Sequence, residues 1–395
     1  MIVKPKFRGF ICTTSHPVGC EYNVRQQVEY VKKQKKINGA KKVLIIGAST
    51  GYGLSSRIAA AFGCGAATIG LFYERPASAN KTASAGWYNS AAFEKLAKEE
   101  GLYAKSINGD AFSNDIKQQT VDLIKRDLGK VDLVIYSLAS PRRTHPITGE
   151  VFNSVIKPIG PAYTSKIVDF HTQQVSDTTI EPANEDEIKQ TVAVMGGEDW
   201  KMWIDALKSA DVLENNAMTI AYSYVGPDMT HAVYREGTIG RAKDDLENTA
   251  GRITEDINDI GGKAYVSINK AVVTQASAAI PVISLYVSIL FKVMKQKNIH
   301  EGCIEQMYRM FNDRLYSGDL KLDNKGRICM DDWEMDEDVQ AEVAKLWDES
   351  NSENVKDITD VASYRTEFFR LFGFEFDAVD YNADVDIDVK IESIE

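Results

Sequence analysis

The run Val43-Leu44-Ile45-Ile46 passes directly into Gly47-Ala48-Ser49-Thr50-Gly51-Tyr52-Gly53, and this junction constrains the fold more than any other feature of the chain. Four consecutive β-branched or leucine residues suit a strand buried on both faces, and residues 54–62 suit the helix that follows. Glycines let the backbone turn tightly and approach a diphosphate, while a helix N-terminus offers unpaired N–H groups to its negative charge. The spacing is Gly-x3-Gly-x-Gly rather than G-x-G-x-x-G. Glycines before a helix also serve ligand-free turns, so it is the flanking strand and helix that favour a dinucleotide site.

A second strand, 67–73, is short and apolar, and Glu74 at its end follows the last loop glycine by 21 positions. A carboxylate there can accept hydrogen bonds from both hydroxyls of an adenosine ribose and would repel a 2′-phosphate, which favours NADH over NADPH. Arg75 works the other way, because a guanidinium could pair with that phosphate. Taken alone, Glu74 is an ordinary solvated loop charge; its register with the glycine loop gives it meaning.

Strand and helix signals then alternate. Strand-like runs fall at 102–107, 132–138, 218–222 and 264–268, and helix-like runs at 91–100, 115–128 and 242–257, the last with Leu246, Ala250, Ile253 and Ile257 on one face. The expected fold is α/β: a doubly wound parallel Rossmann-type sheet, short-chain dehydrogenase-like, with ligand at the carboxyl ends of the strands. Those ends carry Gly47, Glu74, Asp110-Ala111 and Leu138-Ala139-Ser140. We expect one decorated domain over 1–395, with an N-terminal extension at 1–40. An insertion after the fourth strand, 141–200, lies near the site as a lid or as a surface hairpin. A mostly helical C-terminal extension follows at 300–395, and the alternation of Val385, Ile387, Val389 and Ile391 suggests a short strand or a docked terminus.

Composition narrows the function. The chain of 395 residues, 44% apolar and 26% charged, can bury a large core, and its net charge of −11 speaks against nucleic acid as the main partner. Five scattered cysteines without a C-x-x-C pair, and five histidines without His-Glu-x-x-His, point to neither a disulfide scaffold nor a metal site. A cytoplasmic location fits this cysteine usage and an N-terminus with no signal-peptide core. Residues 271–291 carry no charge for 21 positions, long enough to span a bilayer, yet hold Thr274, Gln275, Ser277, Pro281, Ser284 and Ser288. We expect a cofactor-side loop there and a buried helix over 277–297, with no membrane insertion. Ile304, Met307, Tyr308, Phe311 and Leu315 read as a core stripe, and His300-Glu301 as a structural pair.

The chemistry centres on Tyr234-Arg235-Glu236-Gly237-Thr238-Ile239-Gly240-Arg241-Ala242-Lys243. A phenol with a pKa of about 10 stays protonated at neutral pH and can donate to developing negative charge, and a nearby ammonium would ease that donation. None of the seventeen tyrosines is followed by lysine at the Tyr-x3-Lys spacing of common short-chain dehydrogenases. Nine residues of continuous helix turn through about 900°, which would put Tyr234 and Lys243 on opposite faces. Tyr234 must therefore precede the helix, with Gly237 and Gly240 bending the chain and Lys243 in the first turns. That departure argues against ordinary carbonyl reduction.

These motifs resemble the trans-2-enoyl-CoA reductases, or FabV-type enoyl-[acyl-carrier-protein] reductases, almost end to end. The resemblance rests on the glycine loop, Gly86-Trp87-Tyr88-Asn89, Gly109-Asp110-Ala111-Phe112, Tyr136-Ser137-Leu138-Ala139-Ser140-Pro141 and Met195-Gly196-Gly197-Glu198-Asp199-Trp200. Ala221-Tyr222-Ser223-Tyr224-Val225-Gly226-Pro227, the Tyr-x8-Lys pair Tyr234 and Lys243, and His300-Glu301-Gly302-Cys303 complete it. It implies NADH-dependent reduction of the carbon–carbon double bond of a 2-enoyl thioester, in fatty acid biosynthesis or butyrate-type metabolism. By the same resemblance Tyr234 is the catalytic tyrosine, Tyr224 contacts the substrate thioester and Lys243 contacts the cofactor. Gly47, Ala48, Ser49, Thr50, Gly51 and Tyr52 would hold the diphosphate of NADH or NAD, Tyr73 and Glu74 the ribose, Asp110 and Ala111 the adenine. Leu138 and Ala139 would border the nicotinamide ribose, and Val272, Val273 and Thr274 the nicotinamide.

The implied substrate is an enoyl-CoA, with acyl carrier protein as the alternative carrier. Arg142, Arg143, Lys292, Lys295 and Lys297 could form a basic patch for such a carrier, though surface charge of this kind is usually just solvated. The large extra lobes fit a monomer, and an exposed face of the long apolar helix would support a weak homodimer. Two rival classes are a short-chain ketone or alcohol dehydrogenase, which the missing Tyr-x3-Lys disfavours, and a non-catalytic nucleotide sensor, which would not need Tyr234.

Overall fold

A computed structural model describes residues 1–8, 11–277, 280 and 282–394. Seven parallel strands form its main sheet: β1 (Lys42–Ile46), β2 (Ala67–Phe72), β3 (Ala104–Asn108), β4 (Val131–Tyr136), β5 (Leu213–Ser223), β6 (Lys263–Ile268) and β7 (Ile328–Cys329). Their order across the sheet is β7-β6-β5-β4-β1-β2-β3. The connections wind outward in both directions from β1 and β4, which makes the crevice above that pair the switch point of the sheet. β1 is buried along Val43–Ile46 because it lies between β2 and β4, with Leu44 opposite Ile69 on one side and Val134 on the other. The expected doubly wound parallel sheet is therefore observed, and β7 is an addition that no sequence signal announced.

Helices cover both faces. The helix after the glycine loop runs Gly51–Ile58 and continues in wider, π-type turns over Ala59–Cys64. It carries Arg57, fully buried, across the sheet to Ser106 Oγ (3.0 Å) and the Lys105 carbonyl (2.7 Å), with its guanidinium 4.3 Å from the Phe93 ring centroid. Gly70 in mid-strand leaves the room, since a Cβ there would meet that guanidinium. The N-terminal region contributes the helix Pro17–Lys33, packed on Ala85–Glu99.

The segment between β4 and β5 folds into two antiparallel hairpins, Arg142–Thr144 with Val151–Asn153 and Tyr163–Asp169 with Gln174–Ile180, followed by the helices Glu185–Met195 and Glu198–Ser209. The longer hairpin is pinned at several points. Lys166 Nζ donates to the carbonyls of Trp347, Asp348 and Ser350 at the end of the helix Glu337–Glu349, Ser284 Oγ donates to the Val168 carbonyl, and Tyr163 OH donates to the Met229 carbonyl.

The long apolar segment becomes the helix Ile283–Gln296, buried on nearly every side by Glu337–Glu349 and Val361–Arg370. It starts later than the expected 277, because Ser277 Oγ is spent closing a turn onto the Val272 carbonyl at 2.8 Å; Ala278, Ala279 and Pro281 lie outside the described residues. Among the described residues no helix is long and apolar enough to cross a membrane. Beyond Phe374 the described residues form neither helix nor strand. A period-two alternation cannot present one apolar helical face, and the tail instead docks along Ala85–Glu99, where Trp87 Nε1 donates to the Val389 carbonyl (2.7 Å) and Tyr88 OH to that of Ile387 (2.8 Å).

One buried polar network ties the front loops to the insertion. Lys117 Nζ donates to Asp199 Oδ1 at 2.7 Å and to the carbonyls of Ala111 and Phe112, while Tyr136 OH donates to Asp199 Oδ2 at 3.0 Å. Both charges lie out of water, so each depends on the other. Lys117→Met should cost about 3–5 kcal/mol by stranding the Asp199 carboxylate, read as a lowered midpoint in urea unfolding. Adding Asp199→Leu should recover part of that loss, and a single variant as stable as the native chain would show that the pair does not hold the loop.

Candidate active site at the carboxyl edge of the sheet

The glycine loop owes its shape to contacts that exclude side chains. Gly47 has φ +90° and Gly51 φ +52°, conformations costly for other residues. A Cβ at Gly47 would overlap the Ser137 carbonyl at the end of β4, and one at Gly53 would overlap the carbonyl of Gly47. Thr50 caps the helix without a side-chain hydrogen bond, so the first N–H groups of the helix remain available to an anion. The fit to a dinucleotide diphosphate is therefore good.

Around this cradle the expected positions gather. Ser49 Oγ donates to Glu74 Oε1 at 2.7 Å, and the Glu74 backbone is clamped by both ends of the Asn108 amide, at 2.8 and 2.9 Å. Gly86 makes room for that carboxylate, and Asn89 Nδ2 donates to the Ser49 carbonyl with its own Oδ1 buried and unpartnered. Tyr73 is 79% exposed, and the backbone-tethered Arg75 is also exposed. Leu138 stands against Gly47, 3.3 Å from where a Cβ would lie, and Thr274 stands over Gly51 at 3.4 Å on the same measure. Asp110 turns its loop by accepting from Phe112 N at 3.0 Å, and Ala111 is held by Lys117. Tyr52 points inward, where its hydroxyl donates to the Lys270 carbonyl at 2.6 Å.

The tyrosine–lysine pair is arranged as the spacing required. The helix runs Thr238–Asp256 with Gly237 as its N-cap, so Tyr234 lies in the turn before it and Lys243 in its second turn. Gly240 is forced to be small by the carbonyls of Tyr234 and Arg235. Tyr234 is buried, and its hydroxyl has no hydrogen-bond partner among the described residues, so its proton is uncommitted. Burial raises its pKa, aided by Tyr364 and Glu334, so it is neutral throughout the working range. The Tyr224 ring meets it edge to face, 5.0 Å between centroids. Lys243 does not act on Tyr234; its Nζ donates to the Tyr222 carbonyl at 3.2 Å, and burial holds its pKa down at about 8 despite Glu247.

Three groups near this pair escaped the sequence reading. Glu334, after β7, is fully buried and accepts from Tyr286 OH, Tyr224 OH and the Ala271 backbone N–H. Tyr286 comes from the buried helix, and Lys270 is a buried amine whose Nζ donates to the Ala271 carbonyl at 2.7 Å. Ser223 Oγ and Asn269 Nδ2, at the ends of β5 and β6, are buried without partners among the described residues. Of the expected basic patch, Arg142 is exposed, whereas Lys292 donates to the Asp357 carbonyl, Lys295 and Lys297 pair with Asp360 and Glu342, and Arg143 is buried against Glu198. His300-Glu301 is structural at its carboxylate, which accepts from Arg309 at 2.7 and 3.0 Å.

A diphosphate cradle at a Rossmann switch point, an acidic group just past the second strand, and a buried phenol packed on a half-buried one define a nicotinamide-nucleotide oxidoreductase of the doubly wound class. The chain belongs to the trans-2-enoyl-CoA reductase family: its residues 81–316 match the family's catalytic region, and 2–79 match the NAD(P)H binding domain of trans-2-enoyl-CoA reductase. It is 82% identical over 394 residues, all of both chains, to a trans-2-enoyl-CoA reductase [NADH] of Ruminiclostridium cellulolyticum. It is 65% identical, again end to end, to an enoyl-[acyl-carrier-protein] reductase [NADH] of Flavobacterium johnsoniae. The crystal structure of Clostridium acetobutulicum trans-2-enoyl-CoA reductase in complex with NADH superposes with a TM-score of 0.97 at 46% identity, covering 100% of each chain. Residues 322–385 match a model described as an enoyl reductase FAD binding domain. That segment does not fit a flavin: of its two glycines, Gly326 sits on an open turn and Gly373 is packed against His16 and Cys20.

The Lys243 ammonium is charged below about pH 8 and neutral above it. If it contacts the dinucleotide, affinity should hold steady at lower pH and weaken as the pH rises through that value, since a charged donor bonds more strongly than a neutral one. Fluorescence titration of the reduced dinucleotide from about pH 6 to about pH 10 would read this, and Lys243→Arg should flatten the curve. An affinity independent of pH in the native protein would remove the lysine charge from binding.

Proposed function

We propose that this chain is an NADH-dependent reductase of trans-2-enoyl thioesters, converting crotonyl-CoA to butyryl-CoA. The observation that carries the reading is Tyr234, a buried ring whose hydroxyl has no hydrogen-bond partner among the described residues, edge to face with Tyr224. The end-to-end likeness to relatives named for this reaction supports it. Coenzyme A is the preferred carrier, because the relative at 82% identity is named for it while the acyl-carrier-protein reductase stands at 65%.

When bound, NADH supplies the hydride that reaches the substrate β-carbon. The residues proposed to hold it are Gly47 to Tyr52 at the diphosphate, Tyr73 and Glu74 at the ribose, and Asp110 and Ala111 at the adenine. Leu138, Ala139, Lys243, Val272, Val273 and Thr274 would line the nicotinamide half. Reduction builds negative charge on the thioester oxygen. The Tyr234 phenol, neutral and uncommitted, donates to that oxygen, and Tyr224, edge to face with it, would be the second donor. Such donors accelerate the reaction because their bonds strengthen as the charge grows, and in a site closed to water they do so without reorganisation. A proton then reaches the α-carbon.

Tyr234→Phe should lower kcat by about 100-fold or more, the scale of a lost oxyanion donor, while leaving the affinity for NADH unchanged. Turnover at the native rate would remove Tyr234 from the mechanism. Loss of reduced-nicotinamide absorbance with crotonyl-CoA should be faster with NADH than with NADPH. Glu74→Gln should narrow that difference by removing the charge that repels a 2′-phosphate, and an unchanged preference would transfer the selection to another group.

A further inference from the structure

The sequence Asp331-Asp332-Trp333-Glu334-Met335-Asp336-Glu337-Asp338 folds inside out. Trp333 and Met335 are 37% and 38% exposed, whereas Glu334 between them is 0% exposed. Burying a carboxylate while two large apolar neighbours face water is unfavourable unless the buried group is bonded and used. All its contacts lead to the site: Tyr286 OH at 2.6 Å and Tyr224 OH at 3.1 Å share Oε1, and the Ala271 N–H reaches Oε2 at 2.7 Å.

Its two phenols are not equivalent. Tyr286 also accepts from Gln340 Nε2 at 3.2 Å, so its hydroxyl is directed at both lone pair and proton. Tyr224 has the longer bond to Glu334, and its hydroxyl also bonds to that of Tyr286. A phenol has one proton. If Glu334 is ionised, Tyr224 spends that proton on the carboxylate and has none for a substrate oxygen. If Glu334 is neutral, its own proton can go to the Tyr224 oxygen, and the Tyr224 proton turns outward.

We propose that Glu334 is a positioning residue that sets the direction of the Tyr224 hydroxyl, giving it to the thioester oxygen when the carboxyl is protonated and withholding it when ionised. The inference rests on the proposed contact of Tyr224 with substrate. No net proton transfer is involved, only a reversal of the donor along Glu334–Tyr224–oxygen. The surroundings support the neutral form: burial pushes the Glu334 carboxyl up, and the Lys270 ammonium opposes this while its own pKa is lowered by burial. Tyr224 and Tyr234 face it from the β5 side, Tyr286 and Gln340 from two helices, Lys270 and Ala271 from the loop after β6, and Asp331 from its own loop, itself pushed up to about 7 by burial and Glu334. As an acid with a raised pKa, Glu334 stays neutral to higher pH than an ordinary carboxyl, and the productive form is lost as pH rises through that value.

The test is a double-mutant cycle on kcat with Glu334→Ala, Tyr224→Phe and the pair, together with Glu334→Gln. NADH affinity and thermal unfolding serve as controls for folding. Tyr224→Phe and Glu334→Ala should each lower kcat at least about tenfold, part of what a full oxyanion donor supplies, and the pair should be no slower than Tyr224→Phe alone. Glu334→Gln cannot ionise but keeps an N–H for Tyr224, so at saturating NADH, where the affinity change ascribed to Lys243 does not enter, it should restore most of the rate and lack one downward step in the pH profile of kcat. Additive losses in the pair, or Glu334→Gln as slow as Glu334→Ala, would overturn the positioning role while leaving Tyr224 at the substrate. Native turnover in Tyr224→Phe would overturn both that contact and the inference built on it.

Discussion

The site depends first on a backbone contact that tolerates no side chain. Gly47 lies against the Ser137 carbonyl, and Gly53 against the carbonyl of Gly47, so the ends of β1 and β4 and the start of the following helix touch one another directly. A methyl group at either position would drive the helix N-terminus away from the crevice and leave its free N–H groups pointing at nothing. Because β1 and β4 are the strands from which the sheet winds in both directions, the tight junction also fixes where the other strand ends converge. Ser49 then reaches Glu74, Leu138 closes on Gly47, and Thr274 stands over Gly51. Those contacts follow from one compressed turn.

The other half of the site is assembled from the far end of the chain. The buried helix Ile283–Gln296 carries Tyr286 inward, the loop after β7 brings Glu334 to it, and the helices Glu337–Glu349 and Val361–Arg370 seal the outside. The hairpin Tyr163–Asp169 with Gln174–Ile180 is bound into this lobe through Lys166, Ser284 and Tyr163. An element held at three places is fixed against that lobe. Dryness matters here because every phenol, carboxyl and amine in the cluster has its ionisation governed first by desolvation.

The legibility of this arrangement in the sequence follows the range of the forces involved. The sheet was readable because its strands are apolar runs separated by helical periods, and the glycine loop because close approach leaves few residue types that fit. The turn before Lys243 was readable from helix geometry alone: Tyr234 and Lys243 cannot share a face, and Gly237 is where the helix starts. β7 was not, since two residues, Ile328 and Cys329, carry no period. Glu334 was hidden for the opposite reason. It sits in an acidic run that reads as solvated surface, and only the outward-facing Trp333 and Met335 mark the inversion. Lys270 was invisible for the same reason, a charge whose burial is decided by residues far away in sequence.

The long spacing from Tyr234 to Lys243 has a chemical rationale on the proposed reading. In carbonyl reduction the hydride and the oxygen that takes the proton meet at one carbon–oxygen bond, and a tyrosine and lysine on adjacent helical turns can serve both. In reduction of an enoyl thioester the hydride arrives at the β-carbon, whereas the charge appears on an oxygen beyond the α-carbon and the carbonyl carbon. A donor for that oxygen must stand farther from the dinucleotide than in the shorter arrangement. Moving Tyr234 off the helix into the preceding turn, with Tyr224 at its edge, supplies that offset, while Lys243 stays on the helix beside the end of β5. The separation also removes the ammonium from the phenol, and burial keeps Tyr234 neutral. Acceleration must then come from hydrogen bonding to the enolate rather than from a preformed phenolate. On that reading, two neutral phenols packed edge to face suit the requirement.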